Sequence, residues 1–150
     1  MNPYDSTAVS AVWQRVSQGK QNDSLECTLA ETIANEYRSR NTYLSMARLC
    51  WPDLFRRMAA EEGCHARRLS ALYYLLYGCP PCQKDEGCPH ICNLCEAVRD
   101  AFSGETKAAK NYQKLAQSYP EYADLFCSIA ADEQRHARCL RSMTEQLLRK

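Results

Sequence analysis

The chain has 150 residues, a length that suits one domain with a single sizeable core. Apolar residues make up 45% and charged residues 25%, with a formal net charge of +1, so no charge excess argues for a nucleic-acid or membrane-surface partner. The opening MNPYDSTAVSAVWQRV lacks the basic and apolar regions of a signal peptide, and no apolar run approaches the ~20 residues of a membrane span. A soluble, cytoplasmic protein is expected.

The chain holds five glycines and six prolines, and most of them mark a few breakpoints: Pro52, Gly78 with Pro80 and Pro81, Gly87 with Pro89, and Pro120. A short helix is expected within residues 1–20, with Val9, Val12, Trp13 and Val16 as its apolar face. Apolar residues at helical spacing then predict helices at about 24–50, 52–77, 93–118 and 120–148. Trp51-Pro52 and Tyr119-Pro120 each close one helix and open the next, because proline fits a first helical turn but breaks an interior. The expected fold is all-α: one domain over residues 1–150, with a four-helix bundle at about 24–148 and a Cys-rich connection at about 78–93.

The chain repeats itself. DLFRRMAAEEGCHARRL (53–69) and DLFCSIAADEQRHARCL (124–140) are identical at 10 of 17 positions. Upstream, Glu36 stands seven residues before Tyr43, and Glu105 seven before Tyr112. Each half is therefore one helical hairpin.

Glu62 and His65, spaced i, i+3, share a helix face, and Glu133 with His136 repeats the pair. Glu36 and Glu105 add one carboxylate from each remaining helix, within a turn of the same level when counted from the intervening turns. Leu29, Ile33, Tyr43 and Ala47 share the stripe of Glu36; Leu125, Ile129, Leu140 and Met143 share that of Glu133 and His136. A lone Glu-x-x-His is usually a solvated surface pair. Here two of the chain's three histidines fill doubled slots on apolar stripes, where burial demands a partner or a metal. Four carboxylates and two imidazoles, with one Glu-x-x-His from each of two helices, match the ligand plan of two-metal carboxylate bundles.

Over roughly residues 24–148 the chain resembles the rubrerythrin branch of the ferritin-like superfamily, through Glu, six residues, Tyr, about twenty residues, then Glu-x-x-His, twice. The resemblance implies a ferritin-like four-helix bundle of two hairpins joined by a long crossover loop. It implies two iron ions, with manganese as the alternative, held by Glu36, Glu62, His65, Glu105, Glu133 and His136, with Glu62 and Glu133 bridging. Tyr43 and Tyr112 would hydrogen-bond the ligand carboxylates. The implied activity is reduction of hydrogen peroxide or dioxygen, with iron oxidation and handling, or a non-catalytic metal-binding bundle, as alternatives. A homodimer is expected. Rubrerythrins that act as peroxidases often carry a further carboxylate one turn after the third-helix Glu, where this chain reads Thr106, Lys107, Ala108, Ala109. Their electrons usually come from a fused rubredoxin domain; here an external donor such as a rubredoxin-like protein is expected.

Ten cysteines are many for such a chain. Cys79, Cys82, Cys88, Cys92 and Cys95 crowd the connection, with two Cys-x-x-Cys pairs that fit a zinc or rubredoxin-like iron site. The connection must, however, run from one end of the bundle to the other, which leaves little slack for folding back. A bound metal, redox-active thiols or a local disulfide, and no special role all stay open for these five. Cys27, Cys50, Cys64, Cys127 and Cys139 lie in helical segments and are expected as small core residues, with Cys64 and Cys139 near enough to the two histidines to support them. His90 in the connection has no assigned role.

Overall fold

The computed structural model describes residues 7–18, 23–84 and 86–149. Among these the chain is all-α, with helices α1 (Thr7–Gln18), α2 (Asp23–Met46), α3 (Pro52–Tyr77), α4 (Leu94–Ser118) and α5 (Ala123–Leu148). It divides into two compact units, one within residues 1–90 and one within 91–150. No described helix is long and apolar enough to cross a membrane.

In the first unit α2 and α3 form an antiparallel hairpin. Pro52 starts α3 where its missing N–H costs nothing. Trp51 takes the left-handed conformation at φ 39°, a strained geometry for a bulky residue, which turns the chain back sharply. The α2 helix ends at Met46, earlier than its periodicity predicts. Its last turn tightens, with Arg48 and Leu49 donating three residues back to Ser45 and Met46. The core of this unit includes Leu25, Leu29, Ile33, Tyr43, Phe55, Met58 and Leu69, with Tyr43 stacked on Phe55 at 5.9 Å between ring centres.

In the second unit Asn93 caps α4 by accepting the Glu96 N–H at 3.2 Å. A single 3-10 turn, Pro120–Tyr122, precedes α5, so the fourth predicted helix starts as a tighter turn. Val98, Tyr112, Phe126, Ile129 and Leu140 are buried here, and Tyr112 stacks on Phe126.

The N-terminal helix corrects one expectation. Val12 is buried, but Val9, Trp13 and Val16 are exposed, Trp13 by 59%. The α1 helix packs on α3 through a narrow seam, not through the broad face that its periodicity draws. Residues 1–6 and 19–20 of that expected segment lie outside the described residues.

The connection after α3 crosses the length of the first hairpin. At its start, the Tyr73 hydroxyl donates to Glu26 Oε1 at 3.0 Å, which fixes the end of α3 beside the beginning of α2. Gly78, at φ 72°, caps α3 in the left-handed conformation that glycine adopts without strain. Further along, Arg38 Nε donates to Glu86 Oε2 at 3.3 Å, and the Ser45 hydroxyl to the Pro89 carbonyl at 2.6 Å. The segment 78–89 therefore travels from the level of Glu26 to that of Ser45, about 28 Å at ~1.5 Å per residue. Its own extended reach is roughly 36–40 Å. The crossover therefore uses roughly three quarters of its extended reach, which leaves little slack for folding back.

Burial chiefly, then the hydrogen bond and charge of Glu26, push the Tyr73 phenol up to about 12 from its usual 10. The unfolded chain loses this proton first, so the contribution of Tyr73 to stability is complete below pH ~10 and disappears as pH rises to ~12. Alkaline denaturation curves should show this drop in the native protein, and Tyr73→Phe should flatten it.

Candidate metal centre

Each hairpin carries one buried group of two carboxylates and an imidazole. In the first, Glu36 comes from the middle of α2, and Glu62 and His65 from one face of α3; their exposures are 4%, 1% and 1%. His65 Nδ1 faces Glu36 Oε2 at 3.3 Å. One donor atom from each of the three lies within 4.8 Å of the others. The helical geometry explains the convergence: residues i and i+3 meet on a face, and the hairpin sets Glu36 opposite them.

The second hairpin repeats this placement. Glu105 comes from α4, and Glu133 and His136 from α5, at 4%, 1% and 0% exposure. His136 Nδ1 faces Glu105 Oε2 at 3.8 Å, and donor atoms of the three again lie within 4.8 Å. Their surroundings are equivalent too. Leu29, Phe55, Met58 and Leu69 of one hairpin correspond to Val98, Phe126, Ile129 and Leu140 of the other, all fully or almost fully buried.

Two carboxylates close together in a dry interior repel one another and lose their hydration, so the arrangement favours a cation held between them. Carboxylate oxygen with imidazole nitrogen suits iron, manganese or zinc and gives no reason to favour the softest metals. The donor set therefore fits the metal pair that the sequence implies. Ala109, one turn after Glu105, is buried, so an apolar side chain stands at that position.

Tyr43 and Tyr112 sit two turns after Glu36 and Glu105, each 1% exposed. Their rings pack on Phe55 and Phe126 beneath the carboxylate levels.

The family model described as Rubrerythrin matches residues 96–149, which span nearly all of α4 and α5. The second hairpin is similar to that family. The fold class of the described residues is all-α, consistent with a ferritin-like bundle. Neither a curated protein nor a solved structure matches it. The match covers the second hairpin, and the internal repeat carries the same pattern of Glu, Tyr and Glu-x-x-His into the first.

The cysteines are placed differently from expectation. Cys27, Cys64 and Cys127 are exposed, and Cys50 and Cys139 half-buried, so none of the five is a core residue. Cys64 directly follows Gly63 on α3 and lies about 100° round the helix from His65, which turns it to the outer face, away from the ligand group. Cys79, Cys82, Cys88 and Cys92 of the connection are exposed free thiols, and so is Cys95, which lies in the first turn of α4. The crossover, with little slack, strings Cys79, Cys82 and Cys88 along α2 instead of folding them together. His90 is exposed.

One prediction isolates the electrostatics of the ligand group. In the presence of a strong chelator, Glu62→Gln should make the protein more stable by about 1 kcal/mol, because it removes one buried like charge while keeping the shape. Urea unfolding measures it. A loss of stability would show that hydrogen bonds to the Glu62 carboxylate outweigh the repulsion.

Proposed function

We propose that this protein is a non-haem di-iron oxidoreductase that reduces hydrogen peroxide or dioxygen. The observation that carries the reading is the duplicated buried group of two carboxylates and one imidazole, set in a rubrerythrin-like hairpin. Glu36, Glu62 and His65 would hold metal at one group, and Glu105, Glu133 and His136 at the other. When bound, iron supplies the two electrons that an O–O bond needs to break.

The protein's own groups do the rest. Carboxylates can donate one oxygen or two, so four of them adjust to a change in the charge they balance. The imidazoles are neutral ligands that keep the total charge low. The buried phenols of Tyr43 and Tyr112 stand ready to donate a hydrogen bond to a ligand carboxylate and fix its rotamer. Apolar side chains above and below, among them Ile33, Phe55, Met58, Phe126 and Ile129, keep bulk water from the site. Electrons for repeated turnover would come from an external donor protein, and the expected assembly is a homodimer.

The test is a pair of anaerobic mixing experiments on Fe(II)-loaded protein, followed by the optical bands of ferric iron. Hydrogen peroxide should oxidise the centre at least about tenfold faster than dioxygen, with the iron retained and reducible again. Faster reaction with dioxygen and release of iron as a mineral would make the protein a ferroxidase. No reaction with either oxidant would make the site structural.

A further inference from the structure

Between the outer side of α2 and the crossover lies an open groove of about 510 Å³, wholly within the first unit. It is independent of the metal ligands, none of which lines it. Arg38, Arg40 and Asn41 of α2 form one wall, and Cys82, Lys84 and Glu86 of the crossover form the other. Its size is that of a small-molecule site.

The charge in the groove is biased. Arg38 is engaged twice, by Glu86 Oε2 at 3.3 Å and by Asn35 Oδ1 at 2.5 Å. Glu86 is the one acid among the described lining residues, and once it is paired with Arg38 the other charged groups described in the lining are Arg40 and Lys84. Arg40 lies across α3 at Gly63: a Cβ added there would come within 3.3 Å of Arg40 Cδ. A glycine inside a helix is unfavourable by roughly 0.5–1 kcal/mol relative to alanine, and here it gives the arginine stem its seat. From that seat Arg40 Nη1 donates to Asn41 Oδ1 at 3.2 Å. Asn41 is only 9% exposed, and its acceptor is thereby used. Its amide N–H groups are left as donors in the groove wall. The groove thus offers a ligand a nearly buried amide, two cations and a thiol at one rim.

We propose that this groove binds a small disulfide carrying carboxylate groups and presents it to Cys82, which becomes S-thiolated. Arg40, Lys84 and the Asn41 amide hold the carboxylates, and the Cys82 thiolate attacks the nearer sulfur of the ligand. A new S–S bond forms to Cys82 as the ligand's S–S bond breaks. The far half leaves as a thiolate and takes a proton from water, replacing the one that Cys82 gave up. The number of disulfide bonds is unchanged, so no further oxidant is needed. Cys82 lies on the crossover four residues before the Glu86 that pairs with Arg38, so the modification adds bulk beside that anchor.

The experiment uses full-length, fully reduced protein exposed separately to oxidised glutathione, which carries carboxylates, and to cystamine, which carries only amines. Unreacted thiols are trapped at intervals with a maleimide, and each cysteine is quantified by peptide mass spectrometry. With oxidised glutathione, Cys82 should react about tenfold faster than the exposed helical thiols Cys64 and Cys127, the lower bound for a focusing site of this charge. Cystamine should show no preference for Cys82. Arg40→Gln combined with Lys84→Gln should remove the preference for glutathione without slowing the reaction with cystamine. Equal rates at Cys82, Cys64 and Cys127 with glutathione would overturn the proposal. So would equal preference for cystamine, or modification concentrated at Cys79 or Cys88.

Discussion

Two carboxylates set side by side in the dry interior of a helical hairpin repel each other and forfeit the hydration that both would have in water. Each hairpin of this protein accepts that cost, with Glu36 beside Glu62 and Glu105 beside Glu133, all nearly inaccessible. Much else follows from it. The histidines stand one turn away on the same face as a carboxylate, where an imidazole nitrogen would add a ligand to a bound metal. The aromatic pairs Tyr43 with Phe55 and Tyr112 with Phe126 fill the layer beside each group and hold the helices at a fixed spacing. A cation bound at each group would turn the repulsion into attraction and couple metal affinity to folding.

The crossover answers a second constraint, that of chain length. A segment that must travel the length of α2 in about a dozen residues has little slack, and such a segment holds its place through side-chain anchors. Arg38 to Glu86 is an exposed ion pair that contributes little by itself, while the half-buried hydroxyl of Ser45 on Pro89 is a stronger tether. The same limited slack keeps Cys79, Cys82 and Cys88 apart and leaves the groove that Cys82 lines together with Arg40 and Asn41.

Much of this was legible in the sequence, because it rests on local periodicity. The 3.6-residue repeat placed Leu29, Ile33 and Glu36 on one stripe, and the internal repeat turned a weak Glu-x-x-His signal into a paired one. Helix ends at Pro52 and Gly78 were readable from backbone chemistry alone. What stayed hidden depends on tertiary packing. A small apolar cysteine is buried on average, yet the phases of Cys27, Cys64 and Cys127 put them on outer faces. The stripe of Val9, Trp13 and Val16 is helical as read, but α3 covers only the Val12 side of it. The groove was invisible because Arg40 and Lys84 are 44 residues apart, and only the path of the crossover joins them. Gly63 was its one faint signal, a glycine in mid-helix at the position where the second copy has Gln134.

The central claim is that six side chains, three in each hairpin, hold two metal ions. It is tested most directly by anaerobic titration of the chelator-stripped protein with Fe(II), followed by desalting and metal analysis. The native protein should retain two iron ions per chain. His65→Ala with Glu62→Ala should retain one at most, and adding His136→Ala with Glu133→Ala should leave none. Retention of two ions by the fourfold variant, or of none by the native protein, would contradict the account.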